Sequence, residues 1–339
     1  MKQFIKFIDF NHIPLLVANA IKKIFLLVLT VMILSCEDNN NPVIGISWRT
    51  DTDSEFITNV EATLNDLGVK YVLLGQVVDS LLPYSDGSLA VDCTDENDVL
   101  KQSYADIVKS RTYAHSNAAD ILKGVDAIIF TGGEDIAPTL YKVPAEWHGI
   151  EAEKDYNATR DVNDYLLMSY CLDKDIPLLG FCRGAQMLGV VSGATVIQDI
   201  PTWFAEKNLT YNYDHRNEKA TPESYRDYAP HDVTMTADSK VAGLWESTVV
   251  KKCPSWHHQA LETVDSTSLK VVGTTTVSGI PMIESIERTD KTLAIGLQYH
   301  PEAAYTKHLK RAENAGDFTS QDDVRRFFIN FIKQVSKAE

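Results

Sequence analysis

Pro177-Leu178-Leu179-Gly180-Phe181-Cys182-Arg183-Gly184 runs from an apolar, strand-like stretch directly into a helical pattern, Arg183 to Val191, closed by Gly193. Glycines stand two residues before and two after Cys182, as needed where a strand turns sharply into a helix and side chains would clash; the G-x-S-x-G elbow follows the same logic. Such a turn lifts the sulfur to the carboxyl end of a sheet, where open α/β sheets place their ligands. It also sets the thiol at a helix N-terminus, whose dipole favours a thiolate. The alternative is a buried structural cysteine in a strand–helix turn, and it gives the flanking glycines no purpose.

Working outward, the chain alternates the same two patterns. Residues 43–48, 69–74, 125–130 and 177–181 are apolar runs read as buried strands. Residues 55–67, 161–172, 183–191 and 322–335 carry apolar residues at helical spacing. Shorter strands are expected at 233–235, 269–274, 282–286 and 293–297. Continuous apolar strands alternating with helices indicate an α/β fold, a three-layer, doubly wound and mostly parallel sheet with helices on both faces. The polar, Tyr- and Asp-rich segments 75–112 and 202–230 read as excursions over the sheet, the places from which a lid would come.

A thiolate nucleophile needs a base, and His300-Pro301-Glu302 follows the last apolar run. In an extended segment residues i and i+2 face the same way, and the proline biases His300 away from helix. Glu302 is then placed to orient the His300 ring, as in the Ser-His-Asp logic. Alone, His-Pro-Glu is as well read as a surface turn; with the cysteine elbow it gains meaning.

These segments together resemble the class I glutamine amidotransferase-like superfamily, a flavodoxin-like fold, and within it the γ-glutamyl hydrolase branch, peptidase family C26, which includes γ-glutamyl-γ-aminobutyrate hydrolase. The match is carried by Thr131-Gly132-Gly133-Glu134-Asp135 through Tyr141, Arg160-Asp161, Pro177 through Gln186 and on to Gln198-Asp199, Trp256-His257-His258-Gln259, and Gln298-Tyr299-His300-Pro301-Glu302. The resemblance implies Cys182 as nucleophile, His300 as base and then acid, and Glu302 as the orienting carboxylate. It implies an oxyanion hole from backbone N–H groups of Gly132, Gly133 and Arg183. Gln186, His258 and Gln259 would line the glutamyl pocket, with a structural pairing as the other reading of His257-His258. Arg160-Asp161 is expected to cap a helix and tie a loop. The chain departs from the pattern at Thr131, Ser278-Gly279 and Tyr299, and none of these touches the triad. The implied activity is cysteine-dependent hydrolysis of γ-glutamyl amide or peptide bonds through a glutamyl thioester. The alternatives are a glutaminase subunit serving a synthetase, or a non-catalytic peptide-binding envelope lipoprotein on the same scaffold.

Composition excludes other classes. With 339 residues, 44% of them hydrophobic, the chain is long enough to bury a sizeable core. A net charge of −15 without a basic patch argues against nucleic acid. Residues 1–36 differ: four lysines against Asp9 give +3, leaving −18 on the remainder. Lys22-Lys23 precede an apolar run, Ile24 to Leu34, well short of the ~20 residues of a membrane span. Ile33-Leu34-Ser35-Cys36 resembles a bacterial lipobox. The expectation is a lipoprotein-type signal peptide over 1–36, lipidation at Cys36, a single hydrolase domain over 37–339, and a lipid-anchored protein of the bacterial cell envelope. Cys93 and Cys253 are left open as a disulfide pair, and Cys171 reads as core packing. The spacing of Cys, His and acidic residues calls for no metal and no organic cofactor.

Overall fold

The computed structural model describes residues 41–338 except Ala220, Pro222, Glu223 and Tyr225. The expected signal peptide and the lipidation at Cys36 lie outside the described residues, and from Pro42 onward the chain clusters as one unit. The apolar runs read from the sequence form the strands β1 (Ile44–Ile46), β2 (Tyr71–Leu73), β3 (Ala127–Phe130) and β4 (Leu178–Phe181). They are followed by β5 (Ala229–Met235), β6 (Val249–Ser255), β7 (Leu269–Val277), β8 (Ile280–Arg288) and β9 (Ala294–Leu297). These nine make one sheet in the order β2-β1-β3-β4-β9-β8-β7-β5-β6. The first five pair in parallel, and the remaining four extend the sheet with antiparallel neighbours.

Alternation along each strand sends side chains to two separate cores. Ile128, Phe130 and Leu178 pack on one face with helices α2 (Gln102–Arg111), α3 (Ala158–Lys174) and α4 (Arg183–Ser192). Ala127, Ile129, Leu179 and Phe181 pack on the other with α1 (Glu55–Asp66), α6 (Pro301–Leu309) and α7 (Gln321–Ala338), while α5 (Ile200–Glu206) buries Ile200 and Phe204 in a third, smaller cluster. This is the three-layer α/β arrangement expected of the class I glutamine amidotransferase-like fold. The two faces also decide the disulfide question. Cys93 belongs to one core and Cys253 to the other, and both are free. Cys171 is buried in α3, and burial pushes its thiol up.

Three local differences from the sequence reading have physical reasons. Residues 75–112 are more than an excursion, because Leu82, Leu89, Cys93, Leu100, Ala105 and Val108 enter the first core. β7 and β8 are longer than expected and join at Ser278-Gly279, both with positive φ, the type I′ geometry of tight hairpins. Pro301 starts α6 where an extended segment was expected. Proline is favoured at the first helical position, since it loses no needed N–H there and its φ is preset for the helix. The pre-proline restriction keeps only His300 out of the helix.

Candidate active site

Four strand ends converge at the carboxyl edge of the parallel half: Ser47 and Arg49 after β1, Thr131–Gly133 after β3, Cys182 after β4, and Gln298–His300 after β9. Cys182 sits between β4 and α4 with φ +48° and ψ −104°, a strained conformation for a residue with a side chain. The neighbouring glycines leave no alternative. A Cβ at Gly180 would stand 2.5 Å from the Gly184 carbonyl, and one at Gly184 would stand 2.6 Å from the Phe130 oxygen. The elbow read from the sequence is therefore forced by backbone packing.

His300 is fully buried and occupies the N-cap position of α6. Its Nδ1 lies 2.7 Å from Glu302 Oε1, so the carboxylate in the first helical turn fixes the tautomer despite the helical start. Phe56 and Tyr228 pack on the ring at 5.5 and 5.4 Å between centroids, and a Cβ at Gly132 would strike Cε1 at 2.7 Å. Burial opposes a charged ring, but Glu302 and the charge of Cys182 outweigh it and push the imidazole up to about 10. The surroundings thus favour a protonated imidazole beside the Cys182 sulfur. Gln298, which the sequence reading left without a role, directs Nε2 at Cys182 Sγ at 3.5 Å.

The Gly132-Gly133 turn is aimed by its surroundings. The Gly132 carbonyl accepts from Arg49 Nη1 at 2.7 Å and Arg160 Nη2 at 2.9 Å. In a trans peptide the N–H points opposite to the C=O, so the Gly133 N–H faces away from the guanidinium groups. Gly133 and Cys182 line one cavity. A side chain at Gly133 has no room, with Arg160 Nη1 only 1.9 Å from the Cβ position. Arg183 follows Cys182 and opens α4, where the first N–H groups of a helix lack intrahelical acceptors.

Arg160 and Asp161 do not cap α3. The cap is Asn157, whose side chain accepts from the Arg160 N–H, while Arg160 and Asp161 enter a buried ion network. Arg160 pairs with Glu134, Arg49 reaches Glu134 at 3.4 Å, and Arg183 binds Asp164 and, at 2.6 Å, Asp161. Burial raises Asp161 to about 7 even with Arg183 beside it. Glu134 is held down to about 2, because Arg160, Arg49 and Arg183 outweigh its burial. The network braces both the turn and the elbow.

Gln186, His258 and Gln259 line the cavity with Cys182. Both Gln186 Nε2 protons are spent inside the protein, on the Gln259 carbonyl at 3.1 Å and Gln298 Oε1 at 3.3 Å, so its Oε1 is the atom left to offer a ligand. The Gln259 amide has no protein partner on either atom. His258 stands between Asp135 at 3.0 Å and Asp199 at 3.1 Å; against its burial, these carboxylates raise it to about 9. Both nitrogens then carry protons. Its neighbour His257 is kept neutral by burial and gives Nδ1–H to the Gln259 carbonyl at 2.7 Å. Glu134, Asp135, Glu153 and Asp155 add carboxylates to the lining, with Arg216 opposite. A chamber of roughly 200 Å³ adjoins it, sharing Glu153, Arg216 and His258 and bounded by Tyr211, Tyr213 and Arg226. Arg216 and the neighbouring Glu153 and Asp155, which arrive from two separate segments, carry no signal in the sequence. Among the described residues, no helix is long and apolar enough to cross a membrane.

Comparison with known proteins bears on this arrangement. The peptidase C26 family model matches residues 102–302, a span that contains Cys182, His300 and Glu302. Protein NtpR of Enterococcus hirae is 31% identical over 192 residues, covering 56% of this chain and 72% of that protein. A Schizosaccharomyces pombe protein named after the glutamine amidotransferases is 31% identical over 183 residues, covering 54% of this chain and 64% of that protein. A crystal structure of a glutamine amidotransferase from Thermotoga maritima aligns with a TM-score of 0.48 at 14% identity, covering 88% of this chain and 99% of that one.

Proposed function

From the premise that the chain belongs to the peptidase C26 family, within the class I glutamine amidotransferase-like superfamily, we propose that it hydrolyses γ-glutamyl amide or peptide bonds with Cys182, His300 and Glu302 as its triad. The observation that carries this reading is Cys182, held in a strained backbone turn, beside a buried His300 ring fixed 2.7 Å from Glu302. The thiolate attacks the γ-carbonyl carbon, and its oxygen takes the charge against the N–H groups of Gly133 and Arg183. His300 gives its proton to the departing amine, the C–N bond breaks, and a glutamyl thioester remains. Water, deprotonated by His300, then releases glutamate and restores the thiolate. The carboxylates of Glu134, Asp135 and Asp155 suit the α-ammonium group of the glutamyl unit, and the free Gln259 amide suits its carboxylate.

The test uses the full chain, purified in mild detergent and incubated with glutamine, γ-glutamyl dipeptides, γ-glutamyl-γ-aminobutyrate and stem peptides carrying γ-linked D-glutamate, read by mass spectrometry. Glutamate release is expected, and Cys182→Ala is expected to cut it by about 10³-fold or more. Ammonia from glutamine as the sole product favours the glutaminase reading, which fits the name of the fission-yeast relative. No turnover together with a Cys182 thiol closed to alkylation supports the binding lipoprotein. The envelope placement rests on residues 1–36 alone, and fatty-acid labelling lost in Cys36→Ala is its check.

A further inference from the structure

We propose that the chain carries a structural zinc site formed by His215, His231 and Glu284, with His257 at the fourth corner, directly behind the pocket wall of residues 256–259. The sequence pointed to no metal, because these residues are spread over seventy positions. The fold gathers them: His231 comes from β5, Glu284 from β8, and His215 from the segment before β5. One ligand atom from each of these three lies within 4.8 Å of the others, and all three side chains are buried.

The hydrogen bonds fix which atoms face inward. His231 Nδ1 lies 3.1 Å from the Asp214 carbonyl, which only a donor satisfies, so Nδ1 carries the proton in the neutral ring and Nε2 presents a lone pair. That Nε2 is 3.2 Å from Glu284 Oε2, and His215 Nδ1 is 3.2 Å from Oε1. Neither contact is aligned as a hydrogen bond, and both carboxylate oxygens, both His215 nitrogens and His231 Nε2 are buried without a partner. A bare lone pair facing a carboxylate at that distance is repulsive; a proton on each ring or one cation shared between them relieves it, and a single shared ion does so for all the facing atoms at once. His257 repeats the pattern: Nδ1–H is spent on the Gln259 carbonyl, and Nε2 is unpartnered 3.9 Å from Glu284 Oε1.

Zinc bonded to nitrogen and oxygen at about 2.0–2.1 Å separates tetrahedral ligands by about 3.3 Å, close to the two 3.2 Å separations. Imidazole with a single carboxylate suits zinc among the divalent ions. The backbone carbonyls on His231 and His257 are the outer-shell acceptors that orient metal-binding rings. With His215 and Glu284 at 0% and 1% exposure no coordination position opens to solvent, so the ion holds structure. It would tie the wall down, since the His215 carbonyl accepts from the His257 N–H at 3.0 Å and Ser255 Oγ at 2.8 Å.

The full chain is stripped with a chelator, dialysed against micromolar zinc chloride, desalted and assayed by mass spectrometry for metal. About one zinc per chain is expected, in wild type and in Cys182→Ala alike, which separates this site from a thiolate-bound ion. His215→Ala and Glu284→Gln are expected to lose it while circular dichroism confirms the fold. Cobalt is expected to give the absorption of a tetrahedral complex in wild type and none in those variants. If either variant fails to fold, wild type decides: added zinc is expected to raise Tm by several degrees at saturation. Folded wild type that retains no zinc and shows no shift overturns the site, as does zinc retained unchanged in folded His215→Ala and Glu284→Gln.

Discussion

Two walls of one pocket are backed by buried polar clusters, built on opposite halves of the sheet. Behind the Gly132-Gly133 turn and the Cys182 elbow, in the parallel half, three arginines meet Glu134, Asp161 and Asp164, so opposite charges are matched within the chain. Behind residues 256–259, in the antiparallel half, three histidines surround Glu284 and their facing atoms make no hydrogen bonds. The contrast teaches that burial of charge has two solutions. A closed set of ion pairs fixes geometry without help from outside, whereas nitrogen atoms turned on a carboxylate need protons or, as proposed above, a shared cation. The proposed nucleophile, Cys182, belongs to the first wall. The second wall presents Gln259 and His258 rather than the proposed nucleophile, so it tolerates dependence on a bound ion.

The largest effect is expected from the proposed triad, whose nucleophile sits on the first wall. Glu302→Gln keeps the size of the side chain but removes the charge that stabilises the imidazolium, and its amide can present N–H to Nδ1. The expected cost is about 10²–10⁴-fold in kcat with little change in KM, by the Ser-His-Asp precedent. Steady-state kinetics on the substrate found above is the check. A loss confined to KM would detach Glu302 from the chemistry.

Next comes the charge lattice itself. Arg183→Met leaves the backbone N–H beside Cys182 but strands Asp161 in the interior and leaves Asp164 only Arg160 at 3.5 Å, and breaking a buried pair in this way costs about 3–5 kcal/mol. Urea denaturation is expected to show that loss whether zinc or chelator is present. Glu284→Gln, by contrast, is expected to change stability mainly in zinc. If both variants respond to zinc alike, the two walls are not different in kind.

The sequence was legible where the chemistry is local. Gly180, Cys182 and Gly184 lie within five residues, so spacing announced the elbow, and the elbow gave His300-Pro301-Glu302 its meaning. Strands buried on both faces announced themselves as apolar runs. β6 did not, because Lys251 and Lys252 interrupt it and three of its first four residues are exposed. α2 was missed because only Ala105 and Val108 are buried along it, too few to write a helical stripe. Arg49, Arg160 and Arg183 come from three separate elements, as do the histidines around Glu284. No single-sequence pattern records a meeting that only the folded chain creates. Pro301 misled for a different reason: the same ring that restricts the residue before it starts a helix well, and only the tertiary position of α6 chooses between these roles.

The smallest effect belongs to His258, which joins Asp135 from the parallel half to Asp199 after α4 and so sits at the seam between the walls. Its imidazole is raised to about 9 because, against burial, both carboxylates favour the charged ring. A folded-state value above the unfolded value of about 6.5 means that its contribution is fully present below pH 6.5. It is then lost as pH climbs through 9. Side-chain exposure of 12% lets some water take over the lost contacts, so the effect stays below that of the arginine lattice. The gap in Tm between wild type and His258→Gln is therefore expected to be widest at pH 6 and to shrink towards pH 9.5. A gap that stays constant over this range would show that His258 holds the seam as a neutral hydrogen-bonding ring.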